Sequence, residues 1–447
     1  MQSGMTEGEF GWGTNAFHKM GREKMKLIQA LADLDVNAWI SDVDTVYLRN
    51  PIPVGKSYPR ADVLVSTDHL GPSSGGLLDR WPDGGTDANI GLMLVRPTAK
   101  KLLEAWVPAL EVEPWDQSAF NYLLRKGLEL ESEDPPLYRA FDRSILVGFL
   151  STSAFGNGHT FFVQRSAERP DSLPHALHAT FQYSGTAGKR HRMREWDLWR
   201  DEPAYFSHSE GFLAAPSRVP GRLLDAARQV PRNGSLASTL PHFELVHYQL
   251  RQLRSQRALA RALGGRGVVL PELWCGLDRY WGPHTGTFRG ADMQLPYRCP
   301  ADHVLDIEKW HEKDPQSFRE HSFLARRGAE AMLHQTLTVQ PCSEEEEAAC
   351  YDGSAPVAVE GNVLKVLPGR TVEQMRVISF DADLNDMLVP SPAELEDMKT
   401  MELYTSIWCC VEAHPGHIWY DPLADLVPHT DRFGRQFNAS WTPLTGP

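Results

Sequence analysis

The chain has 447 residues, of which 42% are hydrophobic and 23% charged, so it is long enough for two domains or one large enzyme domain. Its formal net charge is −13, from 45 basic and 58 acidic residues, and this balance argues against nucleic acid as the main partner. A membrane helix needs roughly 18 or more consecutive apolar residues. The sequence contains no such run, so it predicts no membrane span in this chain.

The first predicted elements lead to a pair of aspartates. Apolar residues recur at helical spacing over residues 14–32, which predicts a helix. The apolar residues 38–40 predict a short strand, and Asp42 and Asp44 follow it directly. Side chains two residues apart on an extended backbone point the same way, so both carboxylates are expected on one side of the strand end. Two hard oxygen ligands suit Mn²⁺ or Mg²⁺, and such a cation can hold a diphosphate.

The aspartate pair alone leaves three interpretations open. Aspartate is common in turns, so the pair can be a surface turn after a strand. An apolar strand followed by this pattern also begins the aspartyl-phosphatase motif, with Asp42 as the nucleophile. That interpretation needs a second acidic pair after a strand, and Asp381 and Asp383 could be given this role. The third interpretation is the metal site.

The next segments alternate between strand and helix patterns. Apolar runs predict strands at 61–66 and 90–95, the latter entered by Asp87 and Asn89, and residues 99–109 predict a helix. A further helix begins near Asp116, for which we predict an N-cap position. This alternation implies an α/β sandwich with a mostly parallel sheet and a site at the carboxyl ends of its strands.

Farther along the chain the patterns are shorter. We predict strands at 141–150 and 160–164, with a turn at 155–158 between them. Six cysteines lie beyond residue 270, and their even number is compatible with lumenal disulfides. The predicted pairs are Cys275–Cys299 and Cys342–Cys350.

Seven segments of the chain resemble a known family when they are taken together and in order. They are SDVDTVYLRNP, DANIGLMLVRPT, DQSAFN, FGNGHTFFVQ, HATFQYSGTAGKRHRMRE, LPELWCGLDRYWGPH and FREHSFL. Their order is similar to that of plant and algal glycosyltransferase family 77, nucleotide-diphospho-sugar transferases, and most similar to the branch of extensin-type arabinosyltransferases. The likeness covers residues 10–340.

This resemblance implies a GT-A-like, Rossmann-type αβα sandwich with a Mn²⁺ (or Mg²⁺) donor site. It also implies a UDP-sugar donor, UDP-β-L-arabinofuranose, and transfer with retention to a sugar chain on a hydroxyproline-rich glycoprotein in the cell wall. The expected location is the Golgi lumen, behind a type II membrane anchor.

One departure from the family concerns the start of the chain. Such enzymes contact the nucleotide base and ribose from a first strand before the aspartate pair, whereas residues 14–32 predict only a helix there. We therefore expect an N-terminally truncated fold, without the anchor and with part of the nucleotide pocket missing. We assign residues 1–300 to the catalytic domain and residues 301–447 to a mixed α/β C-terminal extension.

The resemblance also suggests roles for individual residues. His178 is the expected third metal ligand beside Asp42 and Asp44, with His175 as the other candidate. The diphosphate contacts are expected from Gly185, Gly188 and Lys189, as in the His…Gly…Lys element of retaining relatives in another GT-A family. The alternative for this last segment is a solvated basic surface.

The remaining expected roles concern the sugar and the acceptor. Asp87 and Asn89 are expected to bind donor hydroxyls, or else to cap the strand. Asp116 and Gln117 are expected to face the transferred sugar, with Asp116 as the nucleophile if a covalent intermediate forms, or else to cap a helix. The acceptor cleft is expected to include Trp274, Asp278, Arg279, Trp281 and His284. Core packing is the alternative for the two tryptophans, and a non-catalytic carbohydrate-binding protein is the alternative for the whole chain.

Overall fold

A computed structural model of the chain describes residues 13–71, 76–81, 86–170, 172–215, 218–229, 240–278, 291, 293–329 and 332, together with short strands beyond residue 332. The chain forms two compact units. The first comprises residues 1–181 with 290–292, and the second comprises residues 182–289 with 293–447. The units therefore divide at residue 181, and the domain boundary expected at residue 300 falls within the second unit.

The first unit contains four described α-helices and ten strands. The helices are α1 (Asn15–Asp33), α2 (Ile52–Ser57), α3 (Lys100–Ala109) and α4 (Asp116–Leu124). The strands are β1 (Ala38–Ser41), β2 (Thr45–Tyr47), β3 (Val63–Thr67), β4 (Leu78–Asp79), β5 (Ala88–Val95), β6 (Glu129–Glu133), β7 (Pro136–Ala140), β8 (Ile145–Leu150), β9 (Phe155–Asn157) and β10 (Ala176–His178). Short 3₁₀ turns lie at Pro97–Ala99 and Ser166–Glu168, and a π-helical turn lies at His159–Val163.

The main sheet of the first unit has the strand order β1-β5-β3-β8-β7-β6, with β4 paired to β8. The α/β class is confirmed, but the expectation of a mostly parallel sheet is wrong for this unit. Only β3 and β8 pair in parallel, and every other described pairing in this sheet is antiparallel. Parallel neighbours need a long crossover, usually a helix, whereas β6, β7 and β8 follow one another through short links.

Helices α1, α3 and α4 pack on one face of this sheet. Strands β3 and β5 are buried along their whole length. The core on the helix side includes Met25, Ile28, Trp106, Phe120 and Val65. A second cluster, with Leu64, Leu92 and Leu94, covers the opposite face. The predicted helices at 14–32 and 99–109 and the predicted strand at 90–95 are confirmed.

The segment after β8 differs from the prediction. Residues 155–158, predicted as a turn, contain strand β9, and residues 160–164, predicted as a strand, lie mostly in the π-helical turn. The cause is the side chain of Asn157, whose Oδ1 accepts hydrogen bonds from the backbone N–H groups of His159 and Thr160 at 3.1 and 2.9 Å. Such local bonds from an asparagine favour a turn over an extended strand.

The second unit contains four described α-helices, α5 (Gly185–Glu195), α6 (Gly221–Arg228), α7 (Leu240–Ala262) and α8 (Ile307–Lys313). Its strands are β11 (Phe212–Ala214), β12 (Gly267–Val269), β13 (Leu273–Cys275), β14 (Tyr297–Cys299), β15 (Phe318–Arg319), β16 (His334–Leu337), β17 (Gln340–Pro341), β18 (Val357–Glu360), β19 (Val363–Val366), β20 (Val377–Phe380), β21 (Leu403–Cys409), β22 (Gly416–Tyr420), β23 (His429–Thr430) and β24 (Gln436–Phe437). Its 3₁₀ turns lie at Pro203–Phe206, Ala301–His303 and Phe323–Ala325.

The main sheet of the second unit is parallel throughout, in the order β15-β12-β11-β20-β16. The predicted disulfide Cys275–Cys299 is present, with an S–S distance of 2.05 Å, and it joins the antiparallel strands β13 and β14. The other predicted pair, Cys342–Cys350, lies outside the described residues. Among the helices that are described, none is long and apolar enough to cross a membrane.

Candidate metal and donor site

The aspartate pair lies where the chain leaves the main sheet. The backbone N–H of Asp42 donates to the carbonyl of Gly91 in β5 at 2.8 Å, which extends the β1–β5 pairing by one residue. The N–H of Thr45 then donates to the carbonyl of Asp42 at 3.1 Å, closing a tight turn before β2. Val43, between the two aspartates, is fully exposed. These hydrogen bonds therefore fix the backbone of the turn that carries both aspartates at the end of β1.

Strand β10 carries His178 to this turn. It pairs antiparallel with β2, so that His178 lies opposite Thr45, and it pairs in parallel with β9. The N–H of Ala179 donates to the carbonyl of Asp44 at 3.0 Å. The Nε2 atom of His178 lies 3.2 Å from Asp44 Oδ1 and 3.7 Å from Asp42 Oδ2. The sequence-predicted set Asp42, Asp44 and His178 is thus brought together.

These three side chains fit a divalent cation. Each offers one ligand atom, and the three atoms all lie within 4.8 Å of one another. The His178 side chain is 8% exposed and that of Asp44 is 16% exposed, whereas that of Asp42 is 40% exposed, so the group is buried on one side and open on the other. Two carboxylates and one imidazole are a donor set that divalent metals accept, and the open side leaves room for other ligands.

Gly91 makes room for the His178 ring. A Cβ atom at position 91 would lie 2.0 Å from Cε1 of His178, 2.5 Å from its Nδ1 and 2.7 Å from its Nε2. Any larger residue would therefore displace the ring or the strand. A glycine inside a strand often marks such a close approach, and Gly91 carried this signal in the sequence.

A chain of hydrogen bonds leads from His178 into the first unit. Nδ1 of His178 lies 3.0 Å from Oδ1 of Asn89, and Nδ2 of Asn89 donates to Oδ1 of Asp68 at 2.8 Å. The other carboxylate oxygen of Asp68 accepts from Nε2 of Gln117 at 3.1 Å. Burial raises the pKa of Asp68, and the hydrogen bond from Asn89 opposes the rise. Asn89 and Gln117, both predicted site residues, are thus joined through Asp68.

Helix α1 contributes a cation to the same region. Nζ of Lys24 lies 2.6 Å from Oδ1 of Asp42 and donates to the carbonyl of Ile90 at 3.1 Å. Asp116 also faces α1, because a Cβ on Gly21 would lie 2.9 Å from its Oδ2. Burial raises the pKa of Asp116, and the positive charge of Lys24 opposes the rise. Lys24 therefore interacts electrostatically with two of the predicted carboxylates.

Three predicted residues of the first unit make contacts that the sequence did not predict, and the site roles of Asp87 and Asp116 stay predictions. Asp87 forms an ion pair with Arg125 at 2.6 Å, with both side chains more than a third exposed. His175 stacks on Phe155 at a ring distance of 5.4 Å and is not part of the ligand group. Asp116 is the first residue of α4 rather than its N-cap, because Trp115 occupies that position in an extended conformation. The Asp116 carboxylate still accepts from the N–H of Gln117 at 2.9 Å.

The other predicted residues lie in the second unit. Gly185, Gly188 and Lys189 belong to the first turns of α5. Gly185 has φ +54°, a backbone conformation that favours glycine. Gly188 lies so close to the carbonyl of Tyr183 that a Cβ there would be 1.7 Å from the oxygen, so both glycines have a local structural reason. Their contact with the donor diphosphate, together with that of Lys189, stays a prediction.

The expected acceptor residues are only partly described. Trp274 lies in β13 and is half-buried, and it packs beside the cluster formed by α6 and α7. Asp278 is 1% exposed, so it lies inside the second unit. Arg279, Trp281 and His284 lie outside the described residues, and the acceptor role of all five stays a prediction.

The sequence predicted no role for Lys24 or Gly91, and for Asp68 it predicted only a position at the carboxyl end of its strand, at the same edge as Asp42 and Asp44. Asp68 carried a usable signal, because it follows the buried strand β3 at the same end as Asp42. Lys24 carried a weaker signal, its position beside buried Met25 on α1. The sequence does not distinguish this half-buried lysine from exposed lysines of the same helix.

Comparison with known proteins gives the class of this protein. A model of the nucleotide-diphospho-sugar transferase family matches residues 2–193, a range that contains Asp42, Asp44 and His178. The chain is 36% identical over 457 aligned residues to "Arabinosyltransferase XEG113" of Arabidopsis thaliana, covering 96% of this chain and 69% of that protein. The chain therefore belongs to the nucleotide-diphospho-sugar transferases, the glycosyltransferase family 77 that the motifs resembled, and is a glycosyltransferase.

A second relative is more distant. It is "UDP-D-xylose:L-fucose alpha-1,3-D-xylosyltransferase MGP4" of Arabidopsis thaliana, 24% identical over 199 residues. The alignment covers 42% of this chain and 51% of that protein. The names of the two relatives contain different pentoses, so the family alone leaves the donor sugar open.

Proposed function

We propose that this protein is a metal-dependent, retaining glycosyltransferase that moves arabinofuranose from UDP-β-L-arabinofuranose to a glycan on a hydroxyproline-rich cell-wall glycoprotein. The observation that carries the proposal is the convergence of Asp42, Asp44 and His178 at the end of β1. The arabinosyl part follows the name of the relative that aligns with 96% of the chain. We assign the activity to the Golgi lumen.

We propose Mn²⁺ or Mg²⁺ as the cation, with Asp42, Asp44 and His178 as its protein ligands. When bound, the cation neutralises the negative charge that grows on the departing diphosphate. The protein supplies the fixed geometry, since hydrogen bonds in the β1–β5 and β2–β10 pairings hold the three ligands. The Lys24 ammonium adds a further positive charge next to Asp42.

We propose that Asp116 and Gln117 face the transferred sugar from the start of α4. In a covalent route, the Asp116 carboxylate attacks the anomeric carbon while the bond to the UDP oxygen breaks. An acceptor hydroxyl then displaces the carboxylate, and its proton passes to the released UDP diphosphate. Two inversions give retention. A same-face route assisted by the leaving diphosphate needs no nucleophile, so Asp116→Asn separates the two routes by whether transfer is abolished or only slowed.

The proposal is tested with purified protein and UDP-β-L-arabinofuranose. We expect UDP release that requires Mn²⁺ or Mg²⁺, rises when a hydroxyproline-linked arabinoside is added, and stops with EDTA. Asp44→Ala should lower the rate by about 10²-fold or more, because a metal supplies several kcal/mol of transition-state stabilisation. Asp33→Asn is the matched control, since Asp33 pairs with Lys100 at the surface of α1.

Three results would overturn the proposal or part of it. Nucleotide-sugar binding without turnover would identify a non-catalytic carbohydrate-binding relative. Hydrolysis of simple phosphomonoesters without nucleotide-sugar binding would support an aspartyl phosphatase, whose second acidic pair, Asp381 and Asp383, lies outside the described residues. Turnover of UDP-xylose or UDP-galactose in preference to the arabinose donor would reject the sugar assignment, because these donors differ by a few hydrogen bonds in the pocket.

A further inference from the structure

We propose that Asn89 and Asp68 are positioning residues that fix the tautomer and the orientation of His178 and connect it to Gln117 on α4. This inference rests on the proposed function, because it concerns the same metal site. It assigns to Asn89 a role toward His178 in place of the donor-hydroxyl contact expected from the sequence.

The orientation of the Asn89 amide follows from a backbone donor. The N–H of Gly91 donates to Oδ1 of Asn89 at 2.9 Å, and a backbone N–H can only donate. The other amide atom, Nδ2, therefore faces the carboxylate of Asp68 at 2.8 Å, where a donor is required. If the amide were turned over, its NH₂ group would face the N–H of Gly91 and its oxygen would face a carboxylate oxygen. Both contacts would be repulsive, so only one orientation fits.

The tautomer of His178 follows from the orientation of the amide. Nδ1 of His178 lies 3.0 Å from Oδ1 of Asn89, which is an acceptor, so Nδ1 carries the proton. In the neutral imidazole the lone pair then lies on Nε2, the atom that faces Asp44 and Asp42 at 3.2 and 3.7 Å. A metal ligand needs this lone pair, and a hydrogen bond at the other ring nitrogen commonly selects the tautomer that provides it.

Asp68 keeps the amide in place from the other side. Its two oxygens accept from Nδ2 of Asn89 and from Nε2 of Gln117 at 2.8 and 3.1 Å, so both amides share one carboxylate. Asn89 is 6% exposed and Gln117 is 9% exposed, so water has little access to replace these bonds. The start of α4 and the metal ligand are therefore linked by one continuous set of hydrogen bonds.

The first test measures where the ring proton of His178 lies while the diamagnetic cation Mg²⁺ occupies the site, because without a cation the two carboxylates favour a proton on Nε2 as well. In protein labelled with ¹⁵N-histidine and saturated with Mg²⁺, the ring-nitrogen shifts of His178 should show a proton on Nδ1 and none on Nε2. His178→Gln identifies the signal by its loss. Asn89→Leu should need a higher Mg²⁺ concentration to reach this state. Absence of the proton from Nδ1 in the Mg²⁺-saturated wild-type protein would reject the inference, whatever the enzymatic activity.

The second test measures Mn²⁺ affinity directly, by the electron paramagnetic resonance signal of free Mn²⁺. Changes to groups that orient a metal ligand typically cost 10- to 100-fold in affinity, and we expect such a loss in Asn89→Leu. Asp68→Ala should lose less, because the N–H of Gly91 still holds Oδ1 of Asn89. Asp68→Asn should stay close to wild type, because an amide can still accept from Asn89.

A control and a folding check complete the test. Asp33→Asn makes the same chemical change at an exposed ion pair and should bind Mn²⁺ like the wild type. Thermal unfolding of each variant identifies one that has lost its fold. If Asn89→Leu does not fold, Asp68→Ala decides, because wild-type Mn²⁺ affinity in folded Asp68→Ala would reject the role of Asp68. Unchanged Mn²⁺ affinity in folded Asn89→Leu would overturn the inference but leave the metal site intact, whereas a wild-type protein without Mn²⁺ binding would overturn the proposed function itself.

Discussion

The substitution Gly91→Ala tests the geometry of the site by adding a single methyl group. The new Cβ would lie 2.0 Å from Cε1 of His178, whereas ordinary van der Waals contact begins at 3.4 Å. The ring would have to move by more than an ångström, and strand β5, which is hydrogen-bonded on both sides, cannot yield by that amount. The His178 ring is the part that moves, and its Nε2 then leaves the two carboxylates.

The expected result is a selective loss of metal binding. Overpacking of a buried site costs about 1–3 kcal/mol of unfolding free energy, so Gly91→Ala should still fold. Gly148→Ala is the matched control, because its Cβ would lie 2.8 Å from Cδ2 of Leu64 in the same sheet but against apolar side chains only. Both variants should unfold at lower temperature, and only Gly91→Ala should lose Mn²⁺ affinity, measured by titration calorimetry. Wild-type affinity in Gly91→Ala would refute the placement of His178.

Three further predictions concern other parts of the chain. Lys24→Met removes the ammonium that competes with a cation for Asp42, so the Kd of Mn²⁺ alone should fall, while the KM for the anionic donor should rise. A Kd and a KM that both fall, or both rise, would contradict this role. Burial lowers the pKa of His191 to about 4, so the folded state binds fewer protons than the unfolded state between about pH 4 and 6.5. The free energy of unfolding should therefore rise with pH in this range, by up to about 1.4 kcal/mol per pH unit. Urea unfolding of His191→Gln should lack this slope, and an unchanged slope would assign it to other groups. The double change Cys275→Ser and Cys299→Ser should lower the unfolding free energy by about 3 kcal/mol. Peptide mapping of the wild type without reductant should recover the peptides of Cys275 and Cys299 linked to each other. Free thiols at these two cysteines would contradict the disulfide.

Local features of the site could be predicted from the sequence because they depend on local geometry. Asp42 and Asp44 are two residues apart beside an apolar strand, and this spacing was enough to predict that their carboxylates lie together. The period of an extended chain was the wrong reason, because a tight turn closed by the N–H of Thr45 and the carbonyl of Asp42 brings them together. His178 is remote in sequence and was predicted only through the resemblance of its segment to the His…Gly…Lys element of other GT-A enzymes. Its position depends on the register of β10 against β2, which no periodicity in either short strand specifies.

The remaining contacts arise from the fold. Lys24 reaches the site through a tertiary pair whose sequence separation follows no rule, so its role needed coordinates. Asp68 could be placed at this edge of the sheet from its position after β3, but its hydrogen bonds to Asn89 and Gln117 needed coordinates. The direction of the strands was mispredicted because alternation of strands and helices was extended over β6, β7 and β8, where no helix intervenes. The turn after β9 was mispredicted because the Asn157 side chain outweighs the strand preference of the aromatic residues that follow.

The most direct test of the central claim is a Mn²⁺ titration that compares the two histidines of one short segment. His178 lies among the carboxylates, whereas His175 stacks on Phe155 away from them. We expect His178→Ala and Asp44→Ala to lose Mn²⁺ binding and Mn²⁺-dependent UDP release, and His175→Ala to retain both. Retention of Mn²⁺ binding in His178→Ala, or its loss in His175→Ala, would show that His178 is not the metal ligand.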